Sequence, residues 1–394
     1  MESPTKARKL LAIAKSYKEI SKKKIQELIR RNGSLVKKVL TLEELISKMK
    51  KKALISDSAG SVLKENRPVP EPLPHEVLIS IHTVGICGSD VHYWKHGGIG
   101  DFTVKKPMIL GHESSGTVVK TGNQVKHLKP GDKVCIEPGV PCRRCEFCLN
   151  GRYNLCPDIQ FSTTPPVDGS LCQFYCHDAA FCYKLPDNVS LEEGALMEPL
   201  SVAVHACRRS QVTAGKSVLI CGADPIGLVN LLTSKALGAT KVCIIDIFEN
   251  RLDVAKKLGA TYKLNVKDLD TKMAAAKIKS MMGGFPDITI ECSGAESSIK
   301  LALLVTKSGG VVTCVGLGAP EIKIPIIEAS VREVDIRGIF RYANCYPTAI
   351  ELVSSGAIDV KPLITHHFNL ENMLKAFETA ASGAAIKVLI HCSE

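Results

Sequence analysis

Short apolar runs interrupted by glycine and proline fill the first half of the chain, and apolar strands alternating with helical segments fill most of the second. Between Ala53 and about Leu200 the runs are brief, as in Val77-Leu78-Ile79-Ser80-Ile81-His82 and Gly116-Thr117-Val118-Val119, with turn residues between them. That texture predicts a mostly β domain. From about Val212 onward, strands at Ser217 to Gly222, Lys241 to Asp246, Asp287 to Gly294, Gly309 to Gly316 and Glu333 to Ile339 alternate with helix-like stretches. Strand and helix in alternation predict a parallel, doubly wound sheet, so the chain is of the α/β class. The end of the chain returns to mixed texture. The expected division is an extension over 1–52, a β-rich domain over 53–204, a doubly wound domain over 205–339, and a return to the first domain over 340–394.

Before Ala53 the pattern differs. Lysine clusters (Lys22, Lys23, Lys24; Lys50, Lys51, Lys52) alternate with Leu28, Ile29, Val36, Val39, Leu40, Leu45, Ile46 and Met49 at helical spacing. One or two amphipathic helices, broken near Asn32-Gly33, or a disordered appendage are expected. A membrane-surface or partner-docking helix is a further possibility. The acidic residues Glu19, Glu27, Glu43 and Glu44 argue against a targeting peptide.

Charge changes this picture in one respect. The formal net charge is +11, and residues 1–52 carry all of it, with 16 Lys and Arg against 5 Glu. The remaining chain is formally neutral, so the basicity does not describe the folded body. Few aromatic residues interleave with the lysines and no recognition module accompanies them, which argues against a nucleic-acid partner. No apolar stretch approaches the length of a membrane span and no secretory signal opens the chain, so a soluble, cytoplasmic protein is expected. In that setting the 16 cysteines read as buried thiols or metal ligands, not disulfides.

Three constellations carry chemistry. The first is Cys142-x2-Cys145-x2-Cys148-x7-Cys156 in a loop containing Pro and Gly. Paired thiolates at this spacing present soft ligands to one tetrahedral ion, which predicts a closed structural zinc site. The second is dispersed: Cys87, His112-Glu113 and Glu198. A thiolate, an imidazole and a carboxylate can hold zinc and leave a position open for water or substrate. Taken singly, each is equally readable as a core or surface residue.

The third is the strand Ser217 to Cys221 followed by Gly222-Ala223-Asp224-Pro225-Ile226-Gly227, with Asp246 ending the next strand. This is the spacing of a dinucleotide fingerprint: glycines admit a pyrophosphate to a helix N-terminus, and the acid holds the ribose hydroxyls. Asp246 would repel a 2'-phosphate, favouring NAD over NADP. The sequence departs from the motif at its second glycine, replaced by Asp224. A carboxylate about 5 Å from a phosphate costs roughly 3 kcal/mol at an effective dielectric near 20, on the order of a hundredfold in affinity. The bland alternative is that Asp224 caps the following helix.

Together and in this order, the three features resemble the zinc-containing medium-chain dehydrogenases. The polyol-dehydrogenase branch is matched by Gly85-Ile86-Cys87-Gly88-Ser89-Asp90-Val91-His92-Tyr93-Trp94, Gly151-Arg152-Tyr153-Asn154-Leu155, Ala180-Phe181-Cys182-Tyr183-Lys184-Leu185-Pro186, Glu198-Pro199-Leu200-Ser201-Val202 and Phe340-Arg341-Tyr342. The resemblance runs from about Ala53 to the C-terminus. It implies a GroES-like catalytic domain around a Rossmann domain, a homotetramer, and oxidation of a polyol such as sorbitol, xylitol or L-iditol at C2 to the ketose. It also implies that Cys87, His112 and Glu113 bind a catalytic zinc, approached by Glu198 directly or through water. Tyr93, Glu198, Arg341 and Tyr342 would hold the polyol. Gly222, Ile226, Gly227, Asp246, Arg251, Val315, Gly316, Leu317, Ile339, Phe340 and Arg341 would line the NAD site, and Ser89 and His92 would relay the proton. Two alternatives stay open: a related dehydrogenase of secondary alcohols or L-threonine, and a cofactor-poor, non-catalytic homologue in which Asp224 has closed the NAD site.

Overall fold

The computed structural model describes residues 50–56 and 63–393, with side chains from residue 67. The helical or disordered extension expected over 1–52 lies outside the described residues, except at its end. There Lys50–Ser56 is a strand, beginning three residues before the expected boundary at Ala53. With Leu63–Pro68 and Met108–Ile109 it forms a small sheet in which Ile55 faces Ile109.

The β-rich part is built on one long strand, Glu76–Gly85, whose apolar residues Val77, Ile79, Ile81 and Val84 are buried. It pairs antiparallel with Glu113–Thr121, with Phe174–Asp178 along its first half, and with Lys387–His391 at its end. Lys133–Ile136 and Cys182–Lys184 extend the sheet on one side and Ile364–Asn369 on the other. The register that matters most is at the end of the long strand, where Gly85 faces both Glu113 and Leu389. One corner of the sheet therefore joins three distant stretches of sequence.

The second sheet is parallel throughout, in the order Tyr262–Asn265, Lys241–Asp246, Ser217–Cys221, Ile288–Glu291, Val311–Cys314, Asp335–Gly338. Its central strands are buried along nearly their whole length, as strands covered by helices on both faces must be. The strand order reverses between Ser217–Cys221 and Ile288–Glu291, and the carboxyl ends of these strands open a crevice for a ligand. The edge strand Tyr262–Asn265 escaped the sequence reading because it is short, half polar and only partly buried.

Helix Met197–Ser210 joins the two sheets and runs through position 204. Pro199 sits in its first turn, where a missing N–H removes no helical hydrogen bond, and this turn places Glu198. Helix Tyr346–Ser354 packs on it before the chain re-enters the antiparallel sheet at Ile364. One continuous core, including Leu185, Leu200, Val204, Leu228 and Tyr346, spans the junction. No described helix is long and apolar enough to cross a membrane.

Candidate active site and metal centres

Cys87 lies just past the end of the long strand, as the N-cap of helix Gly88–His96. Its position is set by Asp90, whose carboxylate accepts the N–H of Cys87 (3.0 Å) and that of Gly111 (3.1 Å), and whose Oδ1 lies 3.3 Å from Nδ1 of His112. Asp90 is 1% exposed. One buried carboxylate thus orients two candidate ligands from separate loops. Glu113 opens the next strand opposite Gly85, where a Cβ would come within 2.2 Å of Glu113 Oε2. Only glycine leaves room for this carboxylate.

The ligand atoms of Cys87, His112 and Glu113 lie within 4.8 Å of one another. Lys387 donates to both Glu113 oxygens, at 2.8 and 2.7 Å, and to the Ile86 carbonyl at 3.2 Å. Both partners are buried, so the ammonium satisfies the carboxylate oxygens in the interior. Neither Asp90 nor Lys387 was singled out from sequence. The available signal for Lys387 was a lysine at the head of an otherwise apolar strand.

Glu198 is outside this set of converging donors, although it lines the same pocket. It accepts a hydrogen bond from the Tyr342 hydroxyl at 2.9 Å. Burial pushes its carboxyl up to about 7; Glu113 adds to the rise, while His112 and the Tyr342 hydroxyl oppose it. The pocket brings together Cys87, Ser89, Tyr93, His112, Glu198, Ile226, Val315, Leu317, Ile339, Phe340 and Arg341. Arg341 adopts a left-handed backbone (φ 51°), its guanidinium stacking over Phe161 and Phe340 and donating to Thr164 Oγ1 at 3.1 Å. His92 is not part of the pocket lining: it is exposed, 5.4 Å from the ring of His96.

A second cavity opens beside the first strand of the parallel sheet, lined by Gly222, Asp246, Ile247, Phe248 and Arg251 among others. Asp246 accepts the N–H groups of Ala223 (2.6 Å) and Phe248 (2.9 Å), which locks its carboxylate at the cavity wall. Arg251 stacks on Phe248. A Cβ on Gly227 would lie 1.9 Å from the Gly222 carbonyl, and one on Gly316 would lie 2.2 Å from the Gly294 nitrogen. These glycines let strand end and helix start close on each other, as a dinucleotide site requires.

Asp224 is the exception. It caps helix Pro225–Ala236, its carboxylate accepting the Gly227 N–H at 2.9 Å. The donor it takes belongs to the first turn, where a pyrophosphate would otherwise be received. Burial pushes its carboxyl up; the Gly227 hydrogen bond and Arg251 oppose that shift and Asp246 reinforces it. The residues therefore fit NAD everywhere but at this carboxylate.

The four loop cysteines converge as their spacing predicts. Their sulfurs lie within 4.8 Å of one another, with Cys145 to Cys148 at 3.4 Å and Cys142 to Cys148 at 3.9 Å. Tetrahedral zinc with Zn–S bonds of about 2.3 Å requires sulfur separations near 3.8 Å. Backbone N–H groups of Arg144 and Cys145 hold the Cys142 thiol down at about 6, while burial and the neighbouring thiols push Cys148 and Cys156 up. The donor set fits the ion. The lobe is also bonded to the pocket: Asn154 Nδ2 donates to the Phe340 carbonyl at 2.8 Å and the Asn344 N–H to the Tyr153 hydroxyl at 2.8 Å. Tyr153 and Tyr183 both donate to Glu137, a buried acid that the sequence did not announce.

A β-rich domain and a doubly wound domain meeting at a Cys-His-Glu centre define a zinc dehydrogenase. Residues 73–187 match the alcohol dehydrogenase GroES-like domain and residues 225–355 the zinc-binding dehydrogenase domain, and the chain belongs to that family. It is 55% identical to the sorbitol dehydrogenase of Bos taurus over 340 residues, covering 86% of this chain and 96% of the relative. Against that of Homo sapiens the identity is 54% over 340 residues, covering 86% and 95%. Among solved structures, an Escherichia coli oxidoreductase of unknown specificity aligns with a TM-score of 0.83 and 40% identity, covering 88% of this chain and all of the other. L-idonate 5-dehydrogenase from the same organism aligns at 0.81 with 29% identity, covering 86% and 98%. Membership implies zinc and NAD as cofactors.

Proposed function

We propose that this protein is a zinc-dependent, NAD-linked polyol dehydrogenase that oxidises sorbitol and related polyols such as xylitol and L-iditol at C2. The observation that carries the reading is the convergence of Cys87, His112 and Glu113, the first two of which line a pocket with Ile226, Val315, Leu317 and Ile339. In this assignment those three donors hold the catalytic zinc, and Cys142, Cys145, Cys148 and Cys156 hold the structural one. Gly222, Ile226, Gly227, Asp246, Arg251, Val315, Gly316, Leu317, Ile339, Phe340 and Arg341 line the dinucleotide site.

When bound, zinc supplies the Lewis acidity that eases loss of the substrate hydroxyl proton, and NAD accepts the hydride from C2. Tyr93, Arg341 and Tyr342 orient the polyol, Arg341 being pre-positioned by its two aromatic neighbours. Glu198 is the proton acceptor favoured by placement, with its Oε1 held by the Tyr342 hydroxyl. Ser89 lines the pocket and can pass a proton outward. His92, facing solvent beside His96, can serve only as the outer end of such a relay. Asp90 and Lys387 act on the zinc ligands and do not touch substrate.

A cytoplasmic homotetramer is the expected form, by likeness to the sorbitol dehydrogenases. Capping of the pyrophosphate helix by Asp224 favours one second reading, a homologue that retains the fold but not the cofactor. NADH formation by zinc-loaded protein with sorbitol, xylitol, L-threonine and a simple secondary alcohol tests both. Polyol-selective turnover supports the dehydrogenase. Turnover with L-threonine or the secondary alcohol alone overturns the substrate assignment, and no turnover with any of them supports the second reading.

A further inference from the structure

Away from both zinc centres, two strands of the antiparallel sheet and a short helix bring His367, His391 and Glu192 together. His367 lies on Ile364–Asn369 and His391 ends Lys387–His391, a parallel pair in which His391 is opposite Asn369. His367 and Asn369 share a face, so both imidazoles project to the same side, two residues apart in register. Glu192 comes from the first turn of helix Leu191–Ala195. His367 Nδ1 is 3.2 Å from His391 Nε2, and each nitrogen is 3.3 Å from the same oxygen, Glu192 Oε1.

These distances make a nearly equilateral triangle of three donor atoms. A tetrahedral ion with bonds of about 2.0–2.1 Å to nitrogen and oxygen has ligand edges of about 3.3–3.4 Å. The triangle therefore has the size of one face of a zinc tetrahedron. Hydrogen bonding alone accounts for it less well, because the two N–H groups can fill only two of the three edges: if both donate to Glu192 Oε1, the 3.2 Å nitrogen–nitrogen edge is a contact between two donors. The group is partly exposed, with side-chain accessibilities of 49% for His367, 22% for His391 and 35% for Glu192, which leaves a fourth position for water.

The geometry points to a third metal site, in which Glu192 Oε1, His367 Nδ1 and His391 Nε2 bind a borderline divalent cation of the zinc class. Bound there, the ion ties the C-terminal strand pair to the helix that precedes Glu198. This site is independent of the activity proposed above, because none of its ligands lines the catalytic pocket.

The test compares the full chain with His367→Gln, His391→Gln and Glu192→Gln. Each protein is saturated with zinc, dialysed against micromolar zinc and assayed for metal per chain by mass spectrometry. Wild type should hold one zinc more per chain than each variant, and its melting temperature should rise further with added zinc than those of the variants. Cobalt substitution provides a second readout, the wild type showing a weak visible band, beyond the absorption of the thiolate sites, that is missing from the difference spectrum of the His391→Gln protein. Turnover by the three variants should remain unchanged. Equal metal content in wild type and all three variants, with no differential shift in melting temperature, overturns the assignment whether or not the chain proves to be a polyol dehydrogenase.

Discussion

Replacing Asp224 by glycine should tighten NADH binding by about a hundredfold. The carboxylate caps the Gly227 N–H at the start of helix Pro225–Ala236, so a pyrophosphate received there meets a like charge in place of a free donor. At about 5 Å and an effective dielectric near 20, the repulsion is roughly 3 kcal/mol, about a hundredfold in dissociation constant. The fold should tolerate the change, since the backbone at 224 is extended (φ −72°) and glycine in place of an N-cap acid costs only a few tenths of a kcal/mol. Fluorescence titration of NADH into wild type, Asp224→Gly and Asp224→Asn measures the effect. The asparagine form keeps a capping oxygen and removes the charge, so it should recover most of the gain. Adenosine carries no phosphate and rests on Asp246 and the neighbouring apolar wall, so its affinity should not change. Equal NADH affinity in wild type and Asp224→Gly, or an equal gain for adenosine, would refute the reasoning.

Lys387→Met should destabilise the zinc-free chain by about 3–5 kcal/mol, because it strands the buried Glu113 carboxylate; urea denaturation with and without zinc checks this, the loss being smaller when zinc is bound. Gly85→Ala should displace the Glu113 carboxylate, which would sit 2.2 Å from the new methyl group. Metal analysis should then show loss of the zinc at Cys87 and His112, with the four-thiol zinc retained in a chain that still unfolds cooperatively. Glu137 titrates at about 7 in the folded chain because burial disfavours its charge, the Tyr153 and Tyr183 hydroxyls opposing. Its unfolded value is near 4.3, so the folded state binds the extra proton between these values. The resulting stability is complete below about pH 4 and lost as pH rises through 7, on the order of 3 kcal/mol. Melting temperatures between pH 5 and 8 should therefore fall less steeply for Glu137→Gln than for wild type.

The features that sequence made readable share a physical origin in short range. Strands at Ser217, Lys241, Asp287 and Gly309 announced themselves because a strand buried on both faces is apolar along most of its length. The four cysteines did so because a small loop must carry all of its ion's ligands close together in sequence. Asp224 was visible both as a departure from a glycine motif and as a cap, and the structure places its carboxylate on the Gly227 N–H.

Other parts depended on pairing between distant segments. Lys387 meets Glu113 only because the last strand joins the long strand where Gly85 faces both Glu113 and Leu389. Glu137 is held by Tyr153 and Tyr183, and His367 finds His391 across a parallel pair whose register local sequence does not reveal. Residue type and spacing by themselves determined the two-sheet architecture, the thiol loop and the dinucleotide turn, since each arises from contacts within a few residues or from burial of a whole strand. Tertiary structure alone decided which charges are paired in the interior and which histidines converge, because those outcomes depend on strand register and on the exclusion of water.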